Sequence, residues 1–338
     1  MEINLFCSAG KSIGLGHLNR MLVVYKGLKR NFKCDINFYI YGDTIKSINH
    51  DTIIPIFINL NYDLGVYINN KVLKKSNLQI FLFDIKEMLI PPTFLDVLHK
   101  IQINNGITIS IDSLLSFVDE IDFFFMPTFS KHKTFENINS NKISWGWQNF
   151  LINSLYEPLK YDLKNENLLV LTGGSDSTNL GVHFPEFLDK KIQENRLNIN
   201  WVVGPFSNQP NMENVQINNW NLIQAPKNLD SLMLNAKFAI TVFGVSFFEL
   251  LRYGVSIVVF SPYGEKDKVD LQEINNSGIA IVACDEKEAV SKINELINNE
   301  TLSRKLSNNA KNIFTGRGED NLYQKIVDII KNKWSILI

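Results

Sequence analysis

The feature that most constrains this chain is a recurring pair: a short, nearly continuous apolar run that stops at a small or acidic residue, then a stretch with helical periodicity. Met1 to Cys7, Ile36 to Tyr41, Leu78 to Phe83, Ile107 to Ile111 and Ile121 to Met126 read as strands of this kind. Runs apolar on both faces are what a parallel strand covered by helices on both sides requires. The pattern restarts at Leu168 to Leu171 and continues with Asn200 to Val203, Phe238 to Thr241 and Ser256 to Phe260. Leu180 to Ile192 reads as one helix between two of these strands. Strands alternating with helices dictate parallel sheets with right-handed crossovers, and 338 residues exceed what one core organises. The expectation is an α/β chain of two Rossmann-like, doubly wound parallel-sheet domains, residues 1–150 and 151–338, facing across a cleft. Their linker is placed in the looser, Asn-rich stretch between about Lys131 and Asn167. The last helix, about Glu319 to Lys333, has Leu322, Ile326, Ile329 and Ile330 on one face and is expected to pack back on the N-terminal domain.

Such sheets bind ligands where the strands end, so the turns name the candidate site. In Ser8-Ala-Gly-Lys-Ser-Ile-Gly-Leu-Gly-His-Leu-Asn-Arg20, Gly10, Gly14 and Gly16 permit close backbone approach, and a helix opening at His17 offers N–H groups to an anion. An imidazole titrates near neutrality, which makes His17 the candidate general base. Arg20, one turn on, shares its face and is read as a fixed positive charge on the ligand. The plainer alternative is a first-turn histidine and a solvated arginine. Gly173, Gly174 and Ser175, with Asn179, form a donor-rich turn suited to a diphosphate, or else a simple turn with Ser175 or Asp176 as N-cap. Gly204 ends the next strand. At Gly244-Val245-Ser246-Phe247-Phe248-Glu249, small residues open a helix whose carboxylate can accept both hydroxyls of a ribose while the amides hold phosphate. The competing reading, an i,i+3 pair of Glu249 with Arg252, fits less well with a helix apolar on both sides of Glu249.

Several classes fall away. A net charge of −1 and a pI near 6.5 provide no general attraction to nucleic acid. Cys7, Cys34 and Cys284 make neither a disulfide framework nor a CxxC pair; they are read as small core residues in a reducing cytosol. No leader and no apolar run of roughly 20 residues is evident, so a cytoplasmic location is expected. Lys331-Asn-Lys-Trp334 is the one hint of peripheral contact with the inner membrane. There is no HExxH, no paired CxxC and no Asp-x-Asp, so neither metal nor cofactor is expected. His50, His99, His132 and His183 lack ligand-spaced neighbours, and Asp119 to Asp122 reads as the cap of a strand. Asn19 stands where the third glycine of a dinucleotide fingerprint would be, against a dehydrogenase. Trp145, Trp147, Phe206 and Tyr263 are stacking candidates for a base or sugar, or core aromatics.

Taken in order, Gly14-Leu-Gly-His17-Leu-Asn-Arg20, Thr172-Gly-Gly-Ser-Asp176 with Asn179-Leu180, Gly244-Val-Ser-Phe-Phe-Glu249 and Gly316-Arg-Gly318 resemble the family of spore-coat polysaccharide proteins and pseudaminic acid nucleotide-sugar hydrolases. The resemblance covers most of the chain. It implies the GT-B fold, shared with the glycosyltransferase that makes lipid II, and a UDP-sugar held mainly by the C-terminal domain. By similarity to the hydrolases, His17 matches the histidine that activates water. Their Asp-His-Tyr is here Asp84-Ile85-Lys86, without the tyrosine, and Ile121 to Thr128 lacks their Asn-rich ending. With the nucleotide side kept and the reacting side changed, the reading is a metal-independent, inverting glycosyltransferase of bacterial surface polysaccharide or glycoconjugate biosynthesis. Its donor is a UDP-sugar, its acceptor a sugar or lipid-linked glycan. The alternatives are a UDP-sugar hydrolase of the pseudaminic acid pathway type, a CMP-nonulosonate transferase, and a non-catalytic sugar-nucleotide-binding protein.

Overall fold

The computed structural model describes residues 1–10, 13–43, 53–74, 78–129, 133–152, 156–192, 197–216, 219–226, 228–314 and 317–334. The chain divides into two compact units, Met1–Asn153 with Thr315–Ile338, and Ser154–Phe314. None of the described helices is long and apolar enough to cross a membrane.

The first unit begins with β1 (Glu2–Ala9), α1 (Gly16–Asn31), β2 (Asp35–Gly42), β3 (Ile56–Ile58) and the single turn α2 (Leu64–Tyr67). It continues through β4 (Gln79–Asp84), α3 (Phe94–Ile103), β5 (Ile107–Ile111), β6 (Phe123–Met126) and β7 (Ile143–Trp145). All seven strands are parallel, in the order β3-β2-β1-β4-β5-β6-β7. The alternation along β1 sorts its side chains between two cores. Ile3, Leu5, Cys7 and Ala9 pack with α1, while Phe6 faces α3 and stacks on Tyr39 at 4.5 Å. The chain winds outward to β3 and then returns to β4, which makes the gap above β1 and β4 the topological switch point.

The second unit runs β8 (Asn165–Leu171), α4 (Phe184–Ile192), β9 (Asn198–Val203), β10 (Trp220–Gln224), α5 (Asp230–Asn235), β11 (Ala236–Val242), α6 (Val245–Arg252) and β12 (Ser256–Phe260). Then follow α7 (Lys268–Ser277), β13 (Ile281–Val282), α8 (Glu286–Ile297) and α9 (Glu300–Ile313). Its six parallel strands lie in the order β10-β9-β8-β11-β12-β13, so its switch point lies between β8 and β11. The doubly wound α/β expectation thus holds in both sheets. Two local expectations do not. The helix read from Leu180 to Ile192 is a 3-10 turn, Leu180–Val182, and then α4, because Pro185 has no N–H to bond the Gly181 carbonyl. Cys284 is exposed instead of lying in a core.

The chain closes with α10 (Gly318–Trp334) in the first unit. Leu322, Ile326 and Trp334 join the core under α1. Lys333 Nζ binds both oxygens of Asp122 at 2.9 Å and the Gly106 carbonyl at 2.6 Å, and Trp334 Nε1 donates to the Asn105 carbonyl at 2.9 Å. Of the residues that hinted at a membrane, Lys333 and Trp334 are therefore folded onto their own sheet, while Lys331 is exposed. A Cβ on Gly27 of α1 would lie 2.7 Å from Cβ and Cγ of Glu319, so glycine sets how closely α10 approaches α1. Gly27→Val is expected to destabilise the protein by about 1–3 kcal/mol through overpacking, read as a lower urea midpoint with an unchanged m-value.

Candidate active site

The loop after β1 closes on itself: Gly14 N–H donates to the Gly10 carbonyl at 2.8 Å, and Gly10 N–H returns a bond to Gly14 at 3.3 Å. Gly14 sits at φ +91°, where glycine carries no steric cost. Helix α1 starts at Gly16 and brings His17 and Arg20 over the end of β4. His17 Nδ1 lies 2.6 Å from Asp84 Oδ1. Arg20 grips the same carboxylate in bidentate fashion, Nε to Oδ2 at 2.9 Å and Nη2 to Oδ1 at 2.8 Å, and its Nη1 donates to Asp112 Oδ2.

Asp84 is wholly buried, which by itself pushes its carboxyl up; Arg20 and His17 outweigh that and hold it below the usual carboxylate range. An ionised carboxylate can only accept, so Nδ1 of His17 carries the proton and the lone pair is left on Nε2. Arg20 Nη2, 3.2 Å from Nδ1, is then a neighbour of the ring and not a donor to it. Asp84 shows no solvent exposure whereas the His17 side chain is 22% exposed, so solvent meets the imidazole and not the carboxylate behind it. Burial, and then the Asp84 charge, push the neighbouring Cys7 thiol well up, and it stays a buried core residue.

Arg20 is the main correction to the sequence reading. Its guanidinium is held by two carboxylates instead of pointing at a ligand, and those carboxylates carry its pKa further above its already high value against the effect of burial. Asp84 and Asp112 had no role in that reading, although the signal was present: each ends an apolar run at the carboxyl edge of the sheet. His99 is a surface residue 3.6 Å from Glu120, while His50, His132 and Gly316 lie outside the described residues.

The ends of the helices separate two classes. Among the described α-helices, α1 and α6 alone have neither a side-chain hydrogen bond at the N-cap nor an acidic residue in the first turn. By contrast, α8 is capped by Asp285 and α9 by Asn299. An uncapped N-terminus keeps its N–H groups and its partial positive charge for an external anion. Each of these two helices follows the strand at the switch point of its sheet.

In the second unit, Gly173 takes φ +91°, and a Cβ on Gly204 would fall 2.4 Å from the Gly174 carbonyl oxygen, so both glycines are required for the turns after β8 and β9 to pack together. Phe206 N–H ties them, donating to Gly174 O at 3.0 Å. Of the two capping candidates, Asp176 serves: its oxygens accept from Leu180 N–H at 3.0 Å and Gly181 N–H at 2.8 Å. Gly174, Ser175 and Asn179 are left exposed, the last in the left-handed region at φ +55°. The Ser177 and Tyr263 hydroxyls meet at 2.6 Å beside this turn. Gly244 opens α6 with free space where a Cβ would be, and Val245 and Ser246 are partly exposed. Phe247 is fully buried against Phe243 and Phe248, so its side chain is core and only its backbone faces the turn. Trp147 stacks on Phe129 and Phe150, whereas Trp145, Phe206 and Tyr263 are exposed.

The Glu249 side chain forms no hydrogen bond or ion pair among the described residues. Arg252, the partner considered from sequence, lies 3.7 Å from Glu157 instead. Burial, and secondarily the charge of Asp230, push the Glu249 carboxyl up to about 8. The carboxyl is thus part-buried and without a side-chain partner near the start of a helix whose N-terminus has neither cap nor acidic residue.

No known protein-family profile matches the chain. It is 24% identical over 271 residues, 77% of each chain, to the spore coat polysaccharide biosynthesis protein SpsG of Bacillus subtilis (strain 168). Among solved structures it resembles MnaA of S. aureus in complex with UDP, with a TM-score of 0.65 at 13% identity over 98% of this chain and 97% of that one. It also resembles MurG of Acinetobacter baumannii, with a TM-score of 0.62 at 15% identity over 98% and 100%. The fold is GT-B.

Two predictions follow from this geometry. Asp84→Asn leaves Arg20 without its buried partner and is expected to cost about 3–5 kcal/mol in urea unfolding. Glu249→Gln is expected to stabilise the protein increasingly with pH. The unfolded chain releases the Glu249 proton near 4.5 while the folded one keeps it to about 8, so wild-type stability is lost as pH rises through that interval. Melting temperatures of the two proteins should converge below pH 4.5 and diverge by several degrees at pH 8.5; parallel curves would show that folding leaves the affinity of Glu249 for its proton unchanged.

Proposed function

We propose that the protein is a metal-independent, inverting glycosyltransferase that takes its sugar from a nucleotide-sugar, UDP-linked in preference, for a surface polysaccharide or glycoconjugate. The observation that carries this reading is the partly exposed imidazole of His17, its proton held on Nδ1 by a buried, ionised Asp84, which leaves Nε2 as the basic nitrogen. The name of the Bacillus relative, which places it in spore coat polysaccharide biosynthesis, and the UDP found in the S. aureus structure support the choice of substrate class.

In this mechanism the acceptor hydroxyl loses its proton to His17 Nε2, and its oxygen attacks the anomeric carbon as the bond to the diphosphate breaks. The attack inverts that carbon, and UDP departs with the bonding electrons. Asp84 stabilises the imidazolium that forms, in the manner of the aspartate of a catalytic triad. The charge developing on the diphosphate is met by the open N-terminus of α6 and the amides of the Gly173-Gly174 turn, with Glu249 accepting the ribose hydroxyls. Water in place of the acceptor would turn the same base into that of a hydrolase. Retention of the aspartate of the hydrolases' Asp-His-Tyr at Asp84, against the histidine it serves, keeps that second reading in the test.

His17→Ala is expected to lower turnover by about 10²–10⁴-fold with donor binding retained. Unchanged turnover would remove the mechanism. UDP release is followed with UDP- and CMP-linked sugars, with and without glycan acceptors. Dependence on acceptor supports the transferase, acceptor-free release at full rate makes the protein a hydrolase, and tight UDP binding without any turnover makes it a binding protein.

A further inference from the structure

Arg20 binds two carboxylates of unlike standing. Asp84 is enclosed and both of its oxygens are engaged, by His17 and Arg20. Asp112 gives one oxygen to Arg20; its Oδ1 has no hydrogen-bond partner among the described residues, and 35% of its side chain is exposed. The backbone holds it there at some cost. Asp112 takes φ +53° and Leu114 φ +58°, each in the left-handed region that disfavours a side chain by about 1 kcal/mol. Between them Ser113 is buried, its hydroxyl 3.4 Å from the Phe83 carbonyl, and Asp112 N–H donates to Phe125 O at 3.2 Å. The loop is thus pinned across the ends of β4, β5 and β6, with a half-engaged carboxylate on the guanidinium that also braces the His17–Asp84 pair.

The charges reinforce the point. One guanidinium faces two carboxyl groups, which makes the cluster net negative where both are ionised; burial pushes the Asp112 carboxyl up against the pull of Arg20. Such a site attracts hydrogen-bond donors and repels anions.

We propose that Asp112 is a specificity-determining residue: its Oδ1 accepts a hydrogen bond from a hydroxyl or N–H of the donor sugar presented to His17, and the cluster excludes sugars that carry a carboxylate. The sugar of the donor is then uncharged and not an acid such as a nonulosonate. This rests on the nucleotide-sugar reading above, and its test separates the two.

UDP-glucose and UDP-glucuronate differ at a hydroxymethyl against a carboxylate. Their dissociation constants, and that of UDP, are measured calorimetrically for wild type and Asp112→Asn, with near-UV circular dichroism confirming the fold. Wild type is expected to prefer UDP-glucose by about 10- to 100-fold, and Asp112→Asn to bring that preference within about threefold. Should the Asn variant not fold, Asp112→Ser reads the same ratio. UDP binding with equal affinity for the two sugars in wild type, or a preference unmoved by substitution, overturns the selectivity proposal alone. Absence of UDP binding, or binding of CMP-linked acids in its place, overturns the UDP-sugar reading and this proposal together.

Discussion

A carboxylate with no access to water has to be ionised by its neighbours or not ionised at all, and Asp84 is such a group. It stands at the last position of β4, the central strand of the first sheet. Arg20 supplies a bidentate partner and His17 a further hydrogen bond, so one helix delivers both ligands of the buried charge from a single face. The register of α1 over the sheet follows from that requirement, because a shift of one residue would leave the carboxylate buried and unpaired. So does the tautomer of His17, since an acceptor-only neighbour on Nδ1 leaves the basic lone pair on Nε2. A structural necessity of the core and the chemistry at its edge are here the same interaction.

The same economy shows at the helix ends. Where a helix only supports the fold, a side chain closes its N-terminus, as Asp285 and Asn299 do, or an acidic residue stands in its first turn. The two helices that follow the switch-point strands have neither device. Leu15 and Gly244 stand at their N-cap positions, and neither supplies a side-chain hydrogen bond to the first-turn amides. Asp176 shows that this is not carelessness with loops: it satisfies two amides of its own turn and leaves the glycines in front of it bare. Glu249 carries the pattern to a side chain, as an unpaired carboxyl kept part-buried on α6 at an unfavourable pKa near 8.

Much of this was legible in the residues. The long strands are continuous apolar runs, and a run apolar on both faces admits no half-exposed sheet. The glycine-rich turns announced themselves through residues that only special backbone geometry explains. The short edge strands β3, β7, β10 and β13 were not read, because two to five residues at a sheet edge carry too little periodicity to stand apart from loop. Phe247 and Arg20 were placed correctly along the chain and wrongly in space, one belonging to the core and the other to two distant carboxylates.

What the amino-acid order determined by itself is therefore local: which segments are strands, where the chain must turn on glycine, and that a histidine opens the first long helix. Only the tertiary structure decided that Asp84 and Asp112, 64 and 92 residues beyond Arg20, meet its guanidinium. It also decided which nitrogen of His17 faces the buried carboxylate, and which helix ends carry neither cap nor acidic residue. The physical reason is that strand and helix periodicity act over neighbouring residues, whereas a buried charge is satisfied by whatever the winding of the sheet brings within hydrogen-bond reach.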